Sequence, residues 1–250
     1  MQRYFFKISY DGAPFAGWQR QDNAMTVQQC IEDAMSKLSH TDITITGCGR
    51  TDAGVHASDY YFHVDLETEM EAMNGMVYKL NKMLPSEISI SEVLQVHNEA
   101  HARFDATSRS YIYNVHFEKD AFLGQYSHFY KYGPKPDFEL LNQAADILMQ
   151  YQSFYSFCKS HSDVNNYDCR LTESKWVKIS ENRWAYHVSA NRFLRGMVRL
   201  IVGMCFNVAR GKLTLEDVHE ALEKQTRLNP ALSVPPEGLA LVQINYPYIK

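Results

Sequence analysis

Between Thr46 and Ala57 the chain reads TGCGRTDAGVHA, a glycine-punctuated run that holds Arg50, Thr51 and Asp52 side by side. Glycine permits backbone shapes that a Cβ resists, so the spacing predicts a stiff, tightly turned loop carrying a carboxylate beside a guanidinium. A neighbouring cation depresses a carboxylate pKa by about one to three units and offsets the rise that burial causes. Asp52 can therefore stay an anion and act as a nucleophile. The commoner role of an aspartate in such a turn is to accept local backbone hydrogen bonds. A dinucleotide-binding reading of Gly47 and Gly49 fails, because the third glycine is missing and no helix follows.

Other chemistry-bearing residues are dispersed. Phe15 to Gln21 (FAGWQRQ) sets Trp18 beside Gln19 and Arg20, a mixture suited to stacking and hydrogen bonding on RNA, or to capping the core with a tryptophan. Arg192, Arg195 and Arg199 fall within a narrow arc at about 100° per residue, so a helix over 192–210 would present three guanidiniums together. Arg199 lies between Val198 and Leu200 in the most apolar segment and needs an acceptor there, which Asp52 or an RNA phosphate could supply. Tyr111 and Tyr113 share one strand face, where core packing is the usual role. Cys158, His161 and Cys169 lack a fourth ligand and metal-site spacing, and no metal is assigned.

The elements that must position these groups alternate in type. Arg3–Tyr10 reads as a strand ending at the turn Asp11-Gly12, and Thr26 with Gln29 has capping-box spacing ahead of a helix over 27–39. Strands follow at 43–46 and 60–65, a helix at 70–83 before Leu84-Pro85, and a strand at 88–96. After a connector at 97–109 come a strand at 111–117, a helix capped by Asp137, and strands at 171–179 and 184–190. The apolar helix at 192–210, a short helix capped by Thr214 and a strand at 239–246 complete the chain. This is an α+β pattern that suits two similar lobes, 1–106 and 107–250.

The 250 residues, 45% of them hydrophobic, suffice for one large or two modest domains. No N-terminal signal pattern or membrane-length apolar run occurs, and five cysteines without a CxxC pair argue against a disulfide framework; together these point to the cytoplasm. A net charge of −4 weighs against a nucleic-acid partner, yet Arg192 to Leu215 holds five cations and no carboxylate, so a local basic surface remains open.

Several motifs then agree in order and spacing. Tyr10-Asp-Gly12, Gly17-Trp-Gln-Arg-Gln21, Gly49-Arg-Thr-Asp-Ala-Gly-Val-His56, Asn81 with Leu84-Pro85, His101-Ala-Arg-Phe104, Arg109-Ser-Tyr-Ile-Tyr113, Met197-Val-Arg199 with Ile201-Val-Gly203, and Gly238-Leu239 resemble the TruA-type tRNA pseudouridine synthases over nearly the whole chain. The resemblance implies two α+β lobes, each a mostly antiparallel sheet backed by helices, with a central cleft, a homodimer, and a tRNA substrate. It implies conversion of uridine to pseudouridine at positions 38, 39 and 40 of the anticodon stem-loop, without cofactor or metal. Asp52 matches the catalytic aspartate, Tyr111 the active-site tyrosine, and Arg199 the arginine that would pair with Asp52. Arg50 matches the residue that would hold the geometry vacated by a flipped base, and Trp18, Gln19, Arg20, Arg103, Arg109, Arg192 and Arg195 are the further RNA-contact candidates. Cys48, where alanine is common, and Tyr60, where glutamine is frequent, depart from the pattern. A catalytically silent RNA-binding or RNA-folding protein is the alternative.

Overall fold

The computed structural model describes residues 1–67, 69–159 and 165–249. Its elements are β1 (Gln2–Tyr10), α1 (Val27–Ser39), β2 (Thr46–Gly47), β3 (His56–Leu66), α2 (Met70–Met83), β4 (Ile88–Val96), β5 (Ser108–His116) and β6 (His128–Phe129). They continue with α3 (Phe138–Ile147), β7 (Leu171–Ser180), β8 (Arg183–Ala190), α4 (Met197–Ala209), α5 (Leu215–Glu223) and β9 (Leu239–Asn245). The protein is α+β, with mixed strand pairing. The chain forms two compact units: Met1–Thr107 with Ala240–Lys250, and Ser108–Leu239. A boundary near 106 is thus accompanied by a return of the last residues to the first unit, unlike the simple division into 1–106 and 107–250.

In the first unit β1 is flanked by antiparallel β3 and β4, β2 adds antiparallel to β3, and β9 joins β3 in parallel at His56↔Ala240 and Ala57↔Leu241. Both faces of β1 are covered: Tyr4, Phe5, Phe6 and Ile8 are buried. Phe6 stands opposite Phe62 with ring centroids 5.0 Å apart, a cross-strand pair of the kind that holds antiparallel ladders in register. On the other face Phe5 meets the edge of Tyr246, and the Tyr246 hydroxyl donates to the Ala102 carbonyl, which binds the returning segment.

Helix α1 begins where Thr26 Oγ1 accepts the Gln29 N–H at 3.3 Å. The strand expected at 43–46 shortens to Thr46–Gly47 because α1 takes over its backbone bonds. Ser36 Oγ accepts the Ile43 N–H, Glu32 Oε1 accepts the Ile45 N–H, and Gln28 Nε2 donates to the Ile45 carbonyl.

In the second unit β8 lies between β5 and β7 in antiparallel pairing, and β6 runs parallel to β5. Phe206 of α4 packs on Trp176 of β7 with centroids 5.6 Å apart. A side chain at Gly203 would collide with the Leu232 carbonyl, so glycine allows the following segment to cross α4 closely. Asn207 Nδ2 ties that segment by donating to the Pro230 carbonyl. Thr214 and Asp217 form a reciprocal capping box at α5, and Asp137 caps α3.

Helix α4 begins at Met197 rather than at 192. Gly196 takes a left-handed conformation (φ 72°) at its N-terminal boundary, which turns the preceding residues off the helix axis. Arg192 and Arg195 therefore lie on the approach to α4, and the single-helix arc of three arginines is not formed. Among the described residues no helix is long and apolar enough to cross a membrane. His161 of the cysteine–histidine set lies outside the described residues.

Candidate active site

The loop between β2 and β3 is held from beneath by the chain's N-terminal motifs. The Tyr10 hydroxyl lies 2.9 Å from Thr51 Oγ1, and the Trp18 N–H donates to the Thr51 carbonyl at 3.3 Å. The Gly54 N–H reaches the Phe15 carbonyl, while the Val55 N–H closes a turn onto the Asp52 carbonyl. At the loop's far end His56 Nδ1 is 3.1 Å from the Gly12 N–H and 3.0 Å from Asp11 Oδ1. Gly17 has φ 93°, and a Cβ there would stand 2.5 Å from the Thr51 carbonyl oxygen, so the 17–18 segment approaches the loop as only glycine can. Tyr10-Asp-Gly12, Gly17-Trp18 and His56 are thus one brace, with Thr51 buried at its centre, Asp52 half-buried and Arg50 exposed.

Trp18 belongs to this brace, not to an RNA-facing surface. Its indole is 2% exposed, 4.2 Å from the Tyr60 ring and 6.3 Å from Tyr10 by centroid, so its faces are occupied by the protein core. The RNA-stacking role expected for Trp18 is corrected accordingly. Tyr60, fully buried, donates its hydroxyl to the Gly49 carbonyl at 2.6 Å. Burial, with Cys48 beside it, raises this phenol well above its ordinary range, so it is a permanent donor. The two departures from the resembled pattern, Cys48 and Tyr60, are therefore neighbours beneath the same loop.

In the second unit Tyr111 is half-buried on β5 and meets the edge of Phe193 at 5.1 Å, whereas Tyr113 is fully buried and donates to the Pro235 carbonyl. Burial raises the Tyr113 phenol, which is committed to the core. Arg199 is half-buried near the start of α4. Its Nε donates to the Val234 carbonyl at 2.7 Å, and the Val234 N–H returns a bond to the Arg199 carbonyl. Sequence reasoning did not find this acceptor, because it is backbone from a segment 35 residues later.

Glu237, also missed, bonds His128 Nδ1 at 2.7 Å. Burial alone would raise its carboxyl, yet the His128 hydrogen bond, its own backbone N–H and the Arg199 charge hold it below the ordinary range. The Arg199 charge thus acts on a carboxylate within its own unit. A Glu before Gly238-Leu239 carried no sequence signal of this.

The remaining predicted residues are spread over both units. Gln19 and Arg103 are exposed in the first, and Arg20, also there, pairs with Glu32 at 2.9 Å. In the second, Arg195 is exposed, Arg109 Nη1 donates to the Asn191 carbonyl, and Arg192 Nη1 donates to Asn166 Oδ1. Asn81 of the Asn81/Leu84-Pro85 motif uses both amide atoms on the Ile90 backbone, at 2.8 Å each, and joins α2 to β4.

A family model described as tRNA pseudouridine synthase matches residues 8–105 and 151–247, which include the whole braced loop and the Arg199 helix. The chain belongs to the tRNA pseudouridine synthase family. Its curated relatives include proteins named tRNA pseudouridine synthase A. That of Bacteroides thetaiotaomicron is 43% identical over 249 residues, covering 99% of this chain and 91% of the relative. Those of Parabacteroides distasonis and Bacteroides fragilis are 42% and 41% identical over 247 residues, each covering 99% of this chain and 97% of the relative. Within this family assignment Arg50, Asp52 and Arg199 fall in matched segments, while Arg109 and Tyr111 fall in the stretch between them.

Proposed function

We propose that this protein is a tRNA pseudouridine synthase that isomerises uridine at positions 38, 39 and 40 of the anticodon stem-loop, with Asp52 as nucleophile. The observation that carries this reading is the bracing of the Asp52 loop by Tyr10, Trp18, Gly17 and Tyr60, in a chain of this family. A nucleophile needs its carboxylate held in one geometry before substrate arrives, and a loop tied at Gly49, Thr51, Asp52 and Gly54 provides that.

In this reading the target uridine leaves the stem, at a cost of a few kcal/mol of unstacking, and Arg50 occupies the vacated space. Asp52 attacks the flipped nucleotide covalently, and the bond from N1 to C1′ breaks. The uracil turns, C5 bonds to C1′, the bond to Asp52 breaks and returns its electron pair to the carboxylate, the proton on C5 is lost and N1 gains one, so atoms and electrons balance without an external oxidant or reductant. Tyr111 stacks on the uracil and serves the proton transfer at C5. Arg199 is the further catalytic residue and contributes its guanidinium to the reaction. Gln19, Arg20, Arg103, Arg109, Arg192 and Arg195 contact the RNA. With a net charge of −4, one chain has little positive field to spare, and a homodimer in the cytoplasm assembles the full tRNA surface.

The test is to incubate wild type and Asp52→Asn with tRNA lacking anticodon-arm modification and map pseudouridine chemically. Product from wild type alone, with tRNA binding retained in the variant, is expected. Product from both removes Asp52 from its role, and product from neither, with binding intact, favours a silent RNA-binding protein.

A further inference from the structure

We infer that Tyr60 is a positioning residue for the Arg50–Asp52 segment, acting through the hydrogen bond from its hydroxyl to the Gly49 carbonyl. The inference rests on the reading of Asp52 as nucleophile. The carbonyl of Gly49 and the N–H of Arg50 belong to one planar peptide group, so fixing the first orients the second. Two residues later Thr51 is fixed by the Tyr10 hydroxyl. Arg50 is thereby bracketed between two phenol-held points, and Asp52 follows immediately.

Gly49 most needs such a tether. A Cβ at that position would meet nothing within 4 Å, so neither packing nor close approach restrains it, and glycine is the most conformationally free residue. The tether itself is rigid. Tyr60 sits in the β1–β3 ladder opposite Ile8, its ring lies 4.2 Å from Trp18 and 5.5 Å from Tyr10, and it is 0% exposed. Gly47 completes the fit: any side chain there would collide with the Tyr60 hydroxyl and the Trp18 indole. A phenylalanine would fill the same core space, so the ring explains packing and the hydroxyl has a separate task.

The experiment compares wild type, Tyr60→Phe and the double variant Gly49→Ala/Tyr60→Phe in single-turnover pseudouridine formation, tRNA binding and amide hydrogen exchange of residues 50–53. For Tyr60→Phe the expected result is a rate about tenfold lower, with tRNA affinity within about twofold of wild type, and exchange about tenfold faster at those amides. Alanine at position 49 narrows the backbone's choices and should recover part of both losses. A rate and exchange unchanged in Tyr60→Phe overturn the inference, as does a change in one without the other. A purely structural role would lower the melting temperature while leaving the rate of the folded protein unaltered, which also overturns it. If wild type makes no pseudouridine, the proposed function fails, and hydrogen exchange alone still decides whether Tyr60 holds the loop.

Discussion

The Tyr10 hydroxyl and the Thr51 hydroxyl meet at 2.9 Å in the interior, joining the end of the first strand to the residue just before Asp52. Both side chains are more than nine-tenths buried, so the bond has no competing solvent. Thr51→Val keeps the shape and removes the hydroxyl. It should destabilise the protein by about 1–3 kcal/mol, the usual cost of depriving a buried polar group of a partner. Urea denaturation of Thr51→Val, Tyr10→Phe and the double variant tests this. The double variant should cost about 1 kcal/mol less than the sum of the singles, and strict additivity would show that the two hydroxyls do not cooperate.

Two glycines near the loop should respond oppositely to the same change. Gly17→Ala forces a Cβ into a left-handed backbone and to within 2.5 Å of the Thr51 carbonyl oxygen, and should cost about 1–3 kcal/mol or more. Gly49→Ala meets nothing within 4 Å and should leave stability within about 1 kcal/mol of wild type. Thermal unfolding distinguishes them, and equal effects would refute the close approach at residue 17.

Arg199→Lys should slow pseudouridine formation by at least about tenfold. The guanidinium uses Nε on the Val234 carbonyl while its charge helps lower the Glu237 carboxyl, and a lysine ammonium cannot reproduce a planar group with separate donors. Binding of tRNA should change less than the rate. Near-normal turnover in a stopped single-turnover assay would remove Arg199 from the catalytic reading.

His63 predicts an acid-side loss of stability. Burial first, then the charges of Arg3 and His101, lower its pKa from 6.5 to about 4, and its Nδ1 accepts the Ala102 N–H. The unfolded chain binds this proton more readily than the folded one. The contribution is whole above pH 6.5 and falls away between pH 6.5 and 4, by roughly 3 kcal/mol in total. His63→Asn retains an acceptor for Ala102 without a titrating ring, so its stability should vary less across that window. Parallel pH profiles of the two proteins would contradict this.

Much of the scaffold was legible because its signals are local. Thr26 before an apolar period marked α1, Leu84-Pro85 marked the end of α2, and Ile88–Val96 read as a strand from its composition. The misread features all depend on distant partners or backbone sign. Trp18 could be placed on either side of the surface until Tyr60 and Tyr10 closed around it. Ile43–Ile45 has strand-forming residues, but α1 side chains satisfy its backbone. The start of α4 turns on the left-handed Gly196, which apolar periodicity cannot register. In the candidate site, residue types singled out Asp52, whereas the tethers on Gly49 and Arg199 come from residues 11 and 35 positions away.

The parallel pairing of Ala240 and Leu241 with His56 and Ala57 sets an order of events during synthesis. The strand that follows the Asp52 loop acquires this neighbour only after every residue of the second unit has left the ribosome. At ordinary elongation rates that interval is on the order of ten seconds. During it, the start of β3 carries an open edge beside the Asp52 loop, a place for a chaperone or a second nascent chain to pair. The foundation of the Asp52 loop is laid first and closed last, so a translational stall within the second unit would hold the first in its unfinished form.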